Sequence, residues 1–174
     1  ETAMNADYWY GLKGKSDLLL LYTVANQLIE KDYLDHQFIE EHTEKFEEFK
    51  EFVKAYTLER GAAGTGLSEE QILELVELIH NGKKVSFWWT MGVNHGYEAV
   101  RTAQAIINLA LMTGNIGKPG TGANSITGQC NAMGSRAYSN TAVFFGGGDF
   151  TNPARRERIA SVLGVDESML ATKP

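Results

Sequence analysis

The sequence contains a single cysteine, Cys130, among its 174 residues. One thiol cannot form a disulfide within the chain, and it cannot provide the four-cysteine ligation of a structural zinc or an iron–sulfur cluster. No apolar run approaches the roughly 18 residues that indicate a membrane-spanning helix. The first residues show no basic stretch followed by an apolar one, so no secretory signal is visible.

Positive charge is also scarce, with 16 Lys and Arg against 22 Asp and Glu and a formal net charge of −6. The densest basic cluster comprises only Arg155, Arg156 and Arg158. Binding to a phosphate backbone needs clustered cations, so we do not expect nucleic acid as a partner. The hydrophobic share of 43% and the charged share of 22% are ordinary for a globular domain.

Apolar spacing predicts several helices, and glycine content predicts loops between them. The predicted helices run over about 16–31, 35–41, 44–56, 68–81, 97–113 and from Asn152-Pro153 to Gly164. Ser68 and Gln71 form a capping-box pattern at the start of the fourth. Residues 61–66, Gly-Ala-Ala-Gly-Thr-Gly, predict a flexible loop. The face of helix 97–113 that we expect to be buried carries Val100, Ala103, Ile107, Ala110 and Leu111.

The middle of the chain alternates between helix and strand. Val85–Thr90 is aromatic and β-prone and predicts a buried strand, followed by a loop over Met91–Gly96. This order favours an α/β fold, a three-layer αβα arrangement with a largely parallel, Rossmann-like sheet. From Gly114 the chain is glycine-rich and irregular, which is typical of binding loops or disorder. We predict an α/β domain over 1–129, then the start of an adjoining domain or linker with one short helix over 130–174.

The segment Gly14-Lys15-Ser16-Asp17 has three interpretations. It resembles the end of a phosphate-binding P-loop, but Trp9 stands where that loop needs its first glycine. A turn that caps the following helix is the simplest alternative. A helix start with a Lys, a hydroxyl and a carboxylate can also bind a nucleotide. In that case Asp17 would accept hydrogen bonds from N1–H and the exocyclic amine of guanine.

A second candidate site follows the predicted strand. Met91, Gly92, Asn94 and His95 lie at its carboxyl end, where open α/β sheets bind their ligands. A connection shaped only by packing is the alternative. His36, His42 and Cys130 indicate no metal site: the histidines are expected to be exposed and the thiol to be buried.

Three ordered blocks carry a family resemblance. Residues 89–94, 108–122 and 125–134 read WTMGVN, NLALMTGNIGKPGTG and SITGQCNAMG. Together they resemble the molybdopterin oxidoreductase family, whose large subunits carry a molybdenum or tungsten bis(molybdopterin guanine dinucleotide) cofactor. The third block is similar to the nitrate reductase branch, because the formate dehydrogenase branch more often has Arg where Thr127 stands.

The resemblance implies roles for particular residues. Lys15, Ser16 and Asp17 align with a segment that contacts the guanosine end of one pterin dinucleotide. Met91, Gly92 and His95 match a pterin-contacting Met-Gly-x-x-Gln motif, with His95 in place of the usual Gln. Gln129 matches a glutamine near the pterin and the metal, and Gln129 with Thr127 would place the oxyanion or the pterin. No residue of the chain is expected to ligate the metal.

The resemblance further implies an internal fragment of a longer catalytic subunit. The family's cluster-binding cysteines and metal-ligating residue lie in segments that this sequence does not contain. The expected partners are the rest of the same subunit, an electron-donor subunit or protein, and a small oxyanion. The expected location is cytoplasmic, with the periplasm as the alternative.

Nitrate reduction to nitrite by oxygen-atom transfer is the expected parent reaction, and the isolated fragment is expected to be inert. Formate dehydrogenase activity is the first alternative. A stand-alone guanine-nucleotide-binding module is the second. A structural protein without a ligand is the third, and it predicts a merely disordered segment over 114–136.

Overall fold

The computed structural model of the chain describes residues 2–137, 151–170 and 172. These residues form two compact units, 1–126 and 127–174. The first unit contains α1 (Asp17–Glu30), α2 (His36–His42), α3 (Phe46–Val53), α4 (Leu58–Thr65), α5 (Glu69–Asn81), β1 (Ser86–Trp89), α6 (Met91–Asn94), α7 (Ala99–Met112) and β2 (Gly122–Ser125). The second contains α8 (Ala132–Ala137) and α9 (Pro153–Leu163). The predicted division after residue 129 concerns domains of a longer protein and stays a prediction.

The α/β fold class is confirmed. Within the described residues the sheet has two strands, β1 and β2, which pair in parallel with Ser86 opposite Gly122 and Trp89 opposite Ser125. The intervening α7 packs against both strands and against α1. Asn115 connects the end of α7 to the residue that precedes β1. Its side-chain oxygen accepts the Val85 N–H at 2.9 Å, and its backbone N–H donates to the Ala110 carbonyl at 2.7 Å.

The core is centred on α1, which contacts α3, α4, α5 and α7. Val24 and Leu28 of α1 are fully buried, as are Ile72 and Val76 of α5. The α1 and α5 predictions are confirmed in position. Ser68 caps α5 with both bonds of the capping box, accepting the Gln71 N–H while the Gln71 side chain accepts the Ser68 N–H.

The loop predicted over residues 61–66 is wrong, because residues 58–65 form α4. The Thr57 hydroxyl caps its start by accepting the Arg60 N–H, and Gly66 ends it in the left-handed conformation with φ of 81°. Gly61 is needed for packing: an added Cβ would lie 2.5 Å from Thr23 Cγ2 of α1. The glycines of this segment therefore allow close helix contact rather than flexibility.

Two burial predictions are also wrong. Of the expected inner face of α7, Ala110 is buried but Val100 (72%) and Ile107 (38%) are exposed, while Ala105, Ile106, Leu109 and Met112 are buried instead. In β1 only Trp89 is buried, and Trp88 is 69% exposed. The helix is apolar around much of its circumference, so periodicity alone did not identify the covered side.

The other predicted helices lie where expected, and two predicted loops contain short elements. Helices α2, α3 and α9 lie where they were expected, and α9 ends at Gly164 with φ of 67°. The predicted loop at Met91–Gly96 contains the single-turn helix α6, and the glycine-rich segment contains β2 and α8. Gly146-Gly147-Gly148 lies outside the described residues. Among the helices that the structure describes, none is both long and apolar enough to cross a membrane.

Candidate functional site

The turn before α1 is held against the end of α4. The Lys13 N–H donates to the Thr65 carbonyl at 2.9 Å, and the Lys13 Nζ donates to the Ala63 carbonyl at 3.1 Å. The Ser16 N–H and hydroxyl both donate to the Lys13 carbonyl, at 3.2 and 2.6 Å. These bonds give the turn a fixed shape at the point where α1 begins.

Lys15 and Asp17 project from this fixed turn. Lys15 has a φ of 68°, so the backbone is left-handed there, and both residues are exposed. Neither the Lys15 ammonium nor the Asp17 carboxylate bonds to another of the described residues. An ammonium and a carboxylate without internal partners remain available for a ligand.

The carboxyl end of β1 supplies the second part of the site. The Thr90 carbonyl accepts the N–H groups of Val93 and Asn94, each at 3.1 Å, and the His95 N–H donates to the Met91 carbonyl at 2.9 Å. These bonds form α6 directly after the strand. An added Cβ at Gly92 would meet no atom within 4 Å, so the backbone there is open to an approaching group.

Both parts face one cleft of about 140 Å³. It is lined by Lys15, Asp17, Leu18, Gly92, Val93, Gly96, Tyr97, Glu98 and Thr102. A larger groove of about 560 Å³ shares Lys15, Leu18 and Glu98 with the cleft. Complete ligand sites commonly measure about 300–1,000 Å³, so the cleft alone admits part of a large ligand.

The larger groove is cationic and aromatic, in contrast to the net negative charge of the chain. Arg60 lies over the Tyr56 ring at 4.5 Å from its centroid, and Arg101 pairs with Glu98 at 3.3 Å. Tyr22 contacts Tyr56 with 4.8 Å between ring centroids. Burial raises the pKa of the Tyr22 hydroxyl, with a further contribution from Tyr56, so this phenol stays neutral at physiological pH.

The sequence-predicted cofactor residues fall into three groups. Lys15, Asp17 and Gly92 line the cleft. Met91 and His95 are exposed on the α6 turn outside its lining, and Ser16 is buried with its hydroxyl bonded within the turn. The predicted catalytic residues Thr127 and Gln129 are exposed and belong to the second unit.

The sequence analysis missed six of the lining residues: Leu18, Val93, Gly96, Tyr97, Glu98 and Thr102. Tyr97 is 96% exposed, and an aromatic ring so exposed beside a cleft is available for stacking. The available signal was position, because five of the six lie in α6, in the turn after it or in the first turn of α7, on the same edge of the sheet.

Among the described residues, the remaining titratable groups form no cluster that could ligate a metal. In residues 2–137, 151–170 and 172 no three His, Cys, Asp or Glu side chains are grouped so that they could hold a metal ion. His36 and His42 are exposed as predicted, with His36 bonded to Asp32 at 2.7 Å. The prediction of a buried thiol is wrong, since Cys130 is exposed in the short segment between β2 and α8.

Comparison with known proteins assigns the family. The sequence matches the molybdopterin oxidoreductase family over residues 1–167. It is 34% identical over 167 residues to formate dehydrogenase H of Escherichia coli, covering 95% of this chain and 23% of that protein. It is 32% identical over 174 residues to a nitrate reductase of Synechocystis, covering 99% of this chain and 24% of that protein.

Acetylene hydratase is among the solved structures that share the fold. Acetylene hydratase from Pelobacter acetylenicus superposes with a TM-score of 0.66 at 24% identity, covering 69% of this chain and 16% of that one. The chain therefore belongs to the molybdopterin oxidoreductase family and spans about a quarter of the length of the curated relatives it matches.

Membership implies a molybdopterin cofactor with molybdenum or tungsten. The residues of the cleft fit part of such a group, because an unpaired carboxylate, an unpaired ammonium and an open backbone at Gly92 meet there. A carboxylate complements paired N–H donors and an ammonium complements phosphate, so this set suits a nucleotide.

Proposed function

We propose that the cleft binds the guanosine end of a molybdopterin guanine dinucleotide cofactor. The observation that carries this proposal is the convergence of Lys15 and Asp17 with Gly92, from segments far apart in the sequence, on one cavity. The fixed turn at Lys13 and the carboxyl end of β1 hold these groups without ligand-induced folding. Preorganised polar groups lose little entropy on binding, which favours affinity.

Each residue of the cleft has a distinct role in this proposal. Asp17 accepts hydrogen bonds from N1–H and the exocyclic amine of guanine, which distinguishes guanine from adenine. Lys15 lies between the cleft and the groove of about 560 Å³, where Arg60 adds positive charge. A pyrophosphate placed along Lys15 would be neutralised there. Tyr97 offers its exposed ring to a planar base.

Thr127 and Gln129 would hold the pterin or the substrate. Their side chains are exposed in the second unit, and they make no hydrogen bond with another described residue. A hydroxyl and an amide can each donate to an anionic oxygen. In the first unit, Met91 and His95 would contact the pterin.

We further propose that the complete protein reduces nitrate to nitrite. The bound metal supplies two-electron chemistry, and the protein binds and orients the cofactor. Nitrate takes two electrons and two protons and yields nitrite and water. The support is the third block, with Thr127 in place of the Arg that is more frequent in formate dehydrogenases. Formate oxidation is the alternative, and it is favoured by the formate dehydrogenases among the relatives.

The partners belong to the same proposal. They are the remainder of the catalytic subunit, whose N-terminal part would hold an iron–sulfur cluster, an electron-donor subunit or protein, and a small oxyanion. A cytoplasmic location, with the periplasm as the alternative, belongs to it as well. The isolated chain binds the cofactor but does not reduce nitrate, because its single cysteine cannot hold an iron–sulfur cluster.

The test uses the complete polypeptide that contains this segment. We expect it to oxidise reduced viologen with nitrate and to leave formate unoxidised. Thr127→Val replaces the hydroxyl with a methyl group of similar size, and we expect it to raise the KM for nitrate about tenfold, the equivalent of one lost hydrogen bond. Formate oxidation without nitrate reduction would overturn the nitrate proposal alone. A correctly folded protein that holds no pterin would overturn the cofactor proposal.

A further inference from the structure

The α6 turn folds back onto the last residue pair of the sheet. Trp89 and Ser125 are the final partners in the parallel register of β1 and β2. Asn94, at the end of α6, bonds to both of them: its side-chain oxygen accepts the Trp89 Nε1–H at 3.0 Å, and its Nδ2–H donates to the Ser125 hydroxyl at 3.1 Å. One side chain therefore connects the turn to both strands.

The chemistry of the three groups fixes the orientation of the Asn94 amide. An indole N–H can only donate, so the amide oxygen must face Trp89 and the amide nitrogen is left for Ser125. Trp89 is 9% exposed. A buried N–H without an acceptor is costly, so Trp89 strongly favours this position of Asn94.

Trp89 also anchors the segment that follows β2. The Ile126 N–H donates to the Trp89 carbonyl at 2.7 Å, directly before the segment that carries Thr127 and Gln129. The turn that carries Met91, Gly92 and His95 and the exit from β2 thus share Trp89 as their support.

We infer that Asn94 is a positioning residue for the cofactor. It holds the α6 turn against the sheet so that Gly92 faces Lys15 and Asp17, and it acts without touching the cofactor itself. This inference rests on the proposed function, since it assumes that the cleft and the α6 turn bind the pterin dinucleotide.

Three variants of the complete, cofactor-loaded polypeptide test the inference. Asn94→Leu removes both bonds at similar volume. Asn94→Asp keeps both, because a carboxylate accepts from Trp89 and from the Ser125 hydroxyl. Asn124→Leu is the matched control: Asn124 also bonds to a serine across the same two strands, donating to the Ser86 hydroxyl at 3.0 Å, but it makes no hydrogen bond to a described residue of the α6 turn.

Two readouts are measured, the rate of pterin release and the hydrogen exchange of the Ile126 amide. We expect Asn94→Leu to accelerate both by about tenfold or more, as for the loss of a buried hydrogen-bond partner. Asn94→Asp and Asn124→Leu should stay within about twofold of the wild type, well below that tenfold effect. If Asn94→Asp behaves like the wild type, the effect of Asn94→Leu comes from the loss of the two hydrogen bonds and not from the loss of the asparagine itself.

The outcomes separate this inference from the proposed function. If the wild type retains pterin and Asn94→Leu releases it at the same rate, the positioning role is wrong while the cofactor site stands. If Asn124→Leu releases pterin as fast as Asn94→Leu, the effect is general loosening of the sheet, and the inference is again wrong. If the folded wild type holds no pterin, the proposed function and the inference fail together. Should Asn94→Leu fail to fold, Ser125→Ala keeps the Trp89 bond and must still accelerate release.

Discussion

Replacing Asp17 with Asn is expected to reverse the base preference of the cleft. The change preserves size but exchanges one acceptor oxygen for an N–H donor, which then faces a donor of guanine. We expect GMP to bind about 100-fold more weakly, which corresponds to roughly 3 kcal/mol for a lost charge-assisted bond and a new mismatch. Xanthosine monophosphate carries an oxygen in place of the exocyclic amine, so it should bind the variant better than the wild type. Isothermal titration of the wild type and of Asp17→Asn with both nucleotides measures this change in base preference.

The control for this prediction is Asp7→Asn. Asp7 is an exposed carboxylate outside the cleft lining, so the variant loses the same charge and should keep its preference for GMP. Equal weakening in the two variants would show that net charge, rather than hydrogen bonding at Asp17, controls nucleotide affinity.

Replacing Gly61 with Leu is expected to destabilise the chain by about 3 kcal/mol, the upper range for overpacking a core. The position is buried, and Thr23 of α1 lies where the new side chain would begin. Thr23 cannot move easily, because it is fully buried and its hydroxyl donates to the Leu19 carbonyl at 2.9 Å. Urea unfolding followed by circular dichroism measures the loss in the free energy of unfolding.

The matched control is Gly14→Leu, because an added Cβ at Gly14 meets no atom within 4 Å. Its free energy of unfolding should change by less than about 0.5 kcal/mol, as for other exposed substitutions. A flexible loop over 61–66 would make both substitutions equally tolerated. Equal stability of the two variants would therefore contradict the packing of α4 against α1.

Helices α5 and α4 differ in how far the sequence alone predicts them. Helix α5 was predictable because a capping box and an apolar stripe agree locally over Ser68–Asn81. Helix α4 was not, because its glycines favour a loop by themselves and are explained only by their contact with α1. Tertiary packing overrode local propensity at that point.

The site was predictable in part for the same physical reason. Lys15, Asp17 and Gly92 could be selected from their sequence contexts, and the structure brings them to one cleft. Tyr97 was not selected, and Asn94 was placed at the end of the strand without its hydrogen bonds to Trp89 and Ser125, because those bonds depend on the way the α6 turn folds back onto the sheet. The face that α7 buries was assigned wrongly, since exposed Val100 and Ile107 share the helix with buried Ile106 and Leu109.

The most direct test of the cofactor-binding account is isothermal titration of the purified wild-type chain with GMP and GDP, with AMP as the control. The account predicts that both guanine nucleotides bind and AMP does not, because only guanine offers paired donors to Asp17. GDP should bind more tightly than GMP, since its second phosphate can reach the positive charge around Lys15. Equal binding of GMP and AMP, or no binding by a chain whose circular dichroism shows it folded, would contradict the account.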